Sequence, residues 1–128
     1  MGAFNPIHQQ VMIKAHTNNP IVDPDKAKDF LIDLVRELGM KPVTKPQAVY
    51  VDDLGNEGLT GSINLATSHI AFHCWDVTGL LMMDIYSCTC YDTVSILQFV
   101  SNKWNIDELQ YTVIDRNSND VYDSRRYI

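Results

Sequence analysis

Hydrophobic positions recur along this chain with two distinct periods. Val11, Ile13 and Ala15 alternate with polar neighbours over Gln10 to His16, which predicts a half-buried strand. Asn18-Asn19-Pro20 ends it. Asp23 then supplies a carboxylate able to cap a helix, and Pro24 suits a first helical position. From there Ala27, Phe30, Leu31, Leu34, Val35 and Leu38 follow the three-four spacing of one buried stripe, and Gly39 closes it as a left-handed cap. The stripe reads as core and carries no chemistry.

Period two returns in the middle of the chain. Ala48 to Val51 reads as a strand and Asp53 to Gly58 as a turn. Leu59 to Thr67 sets Leu59, Ile63 and Leu65 against Thr60, Ser62 and Asn64. His69 to Trp75 sets Ile70, Phe72 and Cys74 against His69, Ala71, His73 and Trp75. Leu80 to Cys88 sets Leu81, Met83 and Ile85 against Asp84, Tyr86 and Cys88. A second helix starts at Asp92 or Thr93 and carries Ile96, Leu97, Val100 and Trp104 on one stripe; a last strand runs from Leu109 to Asp115. The opening Met1 to Pro6 reads as a loose arm. Arg116 to Asp120 reads as a turn, and the residues beyond it as an exposed end or an edge contact. This order predicts an α+β fold, a mostly antiparallel sheet with two helices packed on one face. The other face carries His, Trp, Tyr and Thr, and so invites a substrate or a second subunit.

Composition narrows the function classes. The 128 residues fit a single domain spanning 1–128, and 45% hydrophobic with 20% charged residues is ordinary for a globular protein. A net charge of -6 opposes binding to nucleic acid or anionic membranes and tolerates a cationic amine. No apolar run reaches the roughly 18 residues that span a bilayer. The three cysteines, Cys74, Cys88 and Cys90, are odd in number and lie close together, which points to free thiols and a cytoplasmic protein.

Alternation separates His73 and Cys88 from the most apolar faces of their strands. With Ser68 they are the residue types needed to activate a nucleophile and move protons. Each also has a plain structural reading: Ser68 as a strand residue, His73 as a hydrogen-bonded face residue, Cys88 as a small hydrophobe. A metal site of Cys88, Cys90, His69 and His73 is disfavoured, because Cys-x-Cys lacks the usual zinc spacing.

Ser68-His69, then His73-x-Trp75, then Asp84-x-x-x-Cys88 resembles the signature of the short prokaryotic-type S-adenosylmethionine decarboxylases, and Gly58-Leu59-Thr60-Gly61 resembles their Gly-Val-Ser-Gly. The resemblance implies a decarboxylase, a carboxy-lyase, working in polyamine (spermidine) synthesis. It implies a proenzyme that cuts itself between Thr67 and Ser68 into chains 1–67 and 68–128 and carries a pyruvoyl group derived from Ser68. That carbonyl would condense with the substrate amine as a Schiff base and draw off the electrons freed when carbon dioxide leaves. His73 is implied as the base for the serine α-proton, Thr60 as a hydroxyl assisting processing, and Cys88 as the acid that returns a proton to carbon. A homodimer of processed protomers is implied as well.

The chain departs from that pattern at three places. Thr67 replaces the usual glutamate before the serine. Val77 falls where a glutamate is expected to bind ribose hydroxyls, just beyond Trp75. Leu54 falls where an aromatic residue stacks on adenine. Asp76 sits beside Val77, but one residue along a strand points to the opposite face. Thr67 bears on the rate of cleavage, whereas the Val77 and Leu54 losses fall on nucleoside recognition, leaving two alternatives: decarboxylation of a smaller amino acid such as ornithine or arginine, or a homologue that does not cleave and acts by binding.

Overall fold

A computed structural model describes residues 8–128, so the arm expected at Met1 to Pro6 lies outside the described residues. In chain order the elements are β1 (Gln9–Thr17), α1 (Pro24–Leu38), β2 (Gln47–Val51), β3 (Gly58–Leu65), β4 (Ser68–Trp75), β5 (Leu80–Ser87), α2 (Thr93–Trp104), β6 (Ile106–Asp115) and β7 (Asp120–Arg126). The strands form one seven-stranded sheet in the order β2-β3-β4-β5-β1-β6-β7. Every pairing in it is antiparallel.

Both helices cover the same face, α1 over β2 and β3 and α2 over β6, and they touch each other. Local chemistry starts and stops them as the residues suggest. The Asp23 carboxylate accepts the Asp25 N–H, Pro24 opens α1, and Gly39 ends it at φ 67°. Asp92 caps α2 through the Val94 N–H, and Asn105 ends it in the left-handed region. Between helices and sheet, Phe30, Phe72 and Trp104 meet edge to face at ring-centre distances of 5.3–6.2 Å. Full burial of an aliphatic or aromatic side chain contributes roughly 1.5–3 kcal/mol. Leu31, Leu34, Ile70, Leu81, Ile85 and Leu97 are all buried in this layer, so the core lies wholly on the helical side.

Three details differ from the pattern read along the chain. The strand expected to reach Thr67 ends at Leu65, because Leu65 pairs with Ser68 and the two residues between them form the hairpin turn. The sixth strand begins at Ile106, three residues early, directly after the α2 cap. The tail forms the edge strand β7, pairing with β6 from Gln110↔Arg126 to Asp115↔Asp120. Its side chains are mostly exposed, so it has no hydrophobic period to betray it. Backbone pairing, the Tyr111 hydroxyl donating to Asp123 and the Arg126–Glu108 ion pair hold it.

Candidate active site

The β3–β4 hairpin brings the first group of residues together. Its turn is Ala66-Thr67, and Thr67 stands at φ 62°. Ser68, the first residue of β4, is 6% exposed. Cys88 follows the last residue of the neighbouring β5, and its N–H donates to Ser68 Oγ at 3.1 Å. The bend after it is held by Ser87, whose Oγ accepts the Thr89 N–H at 2.9 Å. Cys88 Sγ in turn lies 2.8 Å from Thr67 Oγ1, which also reaches the Ala66 carbonyl at 2.6 Å. One hydroxyl proton thus has two acceptors. When it goes to Ala66 the thiol donates to Thr67, and when the sulfur is ionised the hydroxyl turns to it.

These contacts tune the thiol. Hydrogen bonds from Thr67 and then Ser68 to the sulfur hold Cys88 below the ordinary cysteine value. Burial instead pushes Cys74 up to about 11, so the two thiols differ in kind. Among the described residues no three His, Cys, Asp or Glu side chains gather as a metal site.

The second group lies at the opposite end of β4. Thr60 and His73 face each other across the β3–β4 ladder, with Thr60 Oγ1 and His73 Nδ1 3.0 Å apart. Trp75 tilts toward His73, and its indole N–H donates to Asn56 Oδ1 at 3.1 Å. The β2–β3 and β4–β5 turns are tied by the Asp76 N–H donating to the Glu57 carbonyl at 3.0 Å. On those turns Leu54 is 96% and Val77 81% exposed. The Asp76 carboxylate accepts the Tyr50 hydroxyl at 2.5 Å, a bond that pushes Tyr50 up to about 12. Tyr50 and Asn56 carried no sequence signal, because each meets its partner only through strand pairing.

Within one chain the two groups do not meet. Five strand residues separate Ser68 from His73, about 16 Å at the usual rise, and odd spacing puts them on opposite faces. Ser68 shares the helical side with Ile70 and Phe72, while His73 is exposed on the open side. A groove of about 550 Å³ crosses that open side, lined in part by His73, Lys14, Asp84, Met82, Met12 and Arg125.

Similarity to known proteins bears on this arrangement. The family model for S-adenosylmethionine decarboxylase matches residues 9–117. The chain belongs to the S-adenosylmethionine decarboxylase family. It is 31% identical over 77 residues to an S-adenosylmethionine decarboxylase proenzyme of Archaeoglobus fulgidus, covering 58% of this chain and 66% of that one. It is 25% identical over 73 residues to the proenzyme of Clostridium botulinum, covering 56% of this chain and 63% of the relative. Each match thus spans somewhat under two thirds of the relative's length. The fold is that of an adenosylmethionine decarboxylase from Aquifex aeolicus VF5, at TM-score 0.65 and 20% identity over 88% of this chain and 92% of that one. The α+β sheet with two helices on one face is therefore the fold of the family. Among the described residues no helix is long and apolar enough to cross a membrane.

Proposed function

We propose that this chain is a self-processing, pyruvoyl-dependent decarboxylase, cut between Thr67 and Ser68 and acting on S-adenosylmethionine in polyamine synthesis. The observation that carries this reading is the convergence of Thr67, Ser68 and Cys88 at the tip of one hairpin, in a chain of this family. The residues fit the group: Ser68 sits where a converted side chain would lie against the Cys88 N–H and thiol. A pyruvoyl carbonyl there would supply an electron sink for loss of carbon dioxide. Cys88, half-exposed and acidified, returns a proton to the substrate carbon. The free thiols of Cys74, Cys88 and Cys90 suit the reducing cytoplasm.

The reading requires two copies. His73 and Thr60 stand at the far end of β4 from their own Ser68, and the Ser68 α-hydrogen is turned away from its buried side chain toward the open face, so a second chain laid antiparallel against that face supplies them, together with Trp75 and the turns bearing Leu54 and Val77. Met12 and Met82, exposed on that face, give such a contact apolar area. His73 then removes the α-proton of Ser68 during processing, with Thr60 orienting its ring. A second substrate reading, ornithine or arginine, is favoured by one observation. Val77 cannot accept a hydrogen bond, and the neighbouring Asp76 carboxylate is engaged by Tyr50.

Denaturing mass spectrometry of the purified full chain tests the proposal. Fragments 1–67 and 68–128, the second blocked at its N-terminus, are expected; a persistently intact chain refutes it. Carbon dioxide release from S-adenosylmethionine, ornithine and arginine then decides the substrate, and Ser68→Ala abolishes cleavage.

A further inference from the structure

Thr67 occupies a backbone conformation its side chain resists. The turn between β3 and β4 has only two residues, and its second, Thr67, has φ 62°. That region suits glycine or asparagine, and a β-branched residue there is an outlier costing on the order of 1–3 kcal/mol. Such strain persists only where neighbours over-determine it. Here they do. Pairing of Leu65 with Ser68 closes the turn, the Cys88 N–H holds Ser68 Oγ, and the Cys88 sulfur and Ala66 carbonyl both hold the Thr67 hydroxyl. Residue 88 thus grips both sides of a single peptide bond.

We infer that Thr67 is a positioning residue that loads this turn with strain, and that release of the strain drives self-cleavage at Ser68. The inference rests on the self-processing reading above. Attack of Ser68 Oγ on the Thr67 carbonyl carbon forms a C–O bond and breaks the C–N bond, the nitrogen taking the hydroxyl proton. In the resulting ester the path from the Thr67 carbonyl carbon to Ser68 Cα runs through Oγ and Cβ, one bond longer than through nitrogen. The turn gains slack as the amide is lost. An unstrained amide-to-ester exchange is uphill, so destabilising the amide favours the step directly. Removal of the Ser68 α-proton then breaks the Cβ–Oγ bond, leaving a carboxylate on Thr67. Water converts the remaining enamine to the pyruvoyl group and ammonia. A residue chosen for β-branching rather than charge does this work where Thr67 stands.

The test follows cleavage of freshly translated full-length chain by denaturing gel and mass spectrometry. Thr67→Val keeps the β-branch and loses the hydroxyl; Thr67→Asn and Thr67→Gly relax the backbone. The asparagine and glycine variants are expected to cleave roughly tenfold or more slowly than the parent, the rate equivalent of the strain, and the valine variant, held by the strand ladders without the hydroxyl contacts, is expected to fall between them and the parent. A second readout needs no cleavage. In the Ser68→Ala background, adding Thr67→Asn should raise the melting temperature. A parent that cleaves while Thr67→Asn matches its rate overturns this inference alone, as does a valine variant as slow as asparagine, or no gain in melting temperature. A parent that stays intact overturns the inference and the self-processing reading together.

Discussion

Gly58→Ala offers a sharp check on how the sheet positions Thr60 and His73. Gly58 has φ 153° and pairs with Trp75 across the β3–β4 ladder. A Cβ added there would lie 1.7 Å from the Cys74 carbonyl oxygen and 2.8 Å from its carbon. Both are backbone atoms, so neither can turn aside, and the strands must part by more than an ångström. The disfavoured φ adds roughly 1–3 kcal/mol and the overpacking a similar amount, about 2–6 kcal/mol together. That is a large share of the 5–15 kcal/mol that holds a domain of this size. Gly61→Ala is the control. Its Cβ would approach the Phe72 ring at 2.5 Å and the Gln47 carbonyl oxygen at 3.2 Å, with no φ penalty; the ring, packed against Phe30 and Trp104, must shift, an overpacking cost of about 1–3 kcal/mol. Urea unfolding of both variants in the non-cleaving Ser68→Ala background measures each change from the midpoint at unchanged slope. A Gly58→Ala loss below 1 kcal/mol, or a larger loss for Gly61→Ala, would refute the reasoning. Thr60 lies two residues along the displaced strand, so Gly58→Ala should also slow processing of the Ser68 chain.

Cys88→Ala should cut turnover at least a hundredfold while slowing cleavage far less, read as carbon dioxide release against fragment yield; unchanged turnover removes Cys88 from the mechanism. If the thiol is the acid, kcat falls as pH rises through a value below that of ordinary cysteine, since the proton-bearing form is the working one. Thr67→Val removes the strongest hydrogen bond to the sulfur and should move that limb to higher pH. His16 bonds Asp107 at 2.8 Å, and this bond raises its pKa above 6.5. The stability it lends is complete below pH 6.5 and lost as pH rises through the folded value, so an NMR titration should show Asp107→Asn bringing His16 down. Val77→Glu, at an exposed site, should leave stability within about 0.5 kcal/mol. It should also raise kcat/KM for S-adenosylmethionine roughly tenfold, the worth of one charge-assisted hydrogen bond; no gain would favour the smaller substrates.

Much of the architecture was legible in the order of residues, because its causes are local. The α1 stripe, the Asp23 and Gly39 caps and the alternation of β4 follow from periods of 3.6 and 2 and from which groups satisfy chain ends. β7 was legible only as an exposed end or an edge contact, for the same reason: an edge strand exposed on both faces has no period. At the candidate site, the spacing of Ser68, His73 and Cys88 marked the family, and Thr67, Val77 and Leu54 marked its divergence.

What the sequence determined by itself was which residue types stand at which spacing, and hence the elements and the likeness. Only the tertiary structure decided which of them meet. Pairing of β4 with β5 set Cys88 against Thr67 and Ser68, twenty residues back along the chain. The register of β3 on β4 joined Thr60 to His73. The length and pleat of β4 kept those two groups apart, on opposite faces and at opposite ends. The left-handed conformation of Thr67 arose likewise from closing a hairpin around two residues. Threonine does not choose that conformation; the ladders on either side of it do.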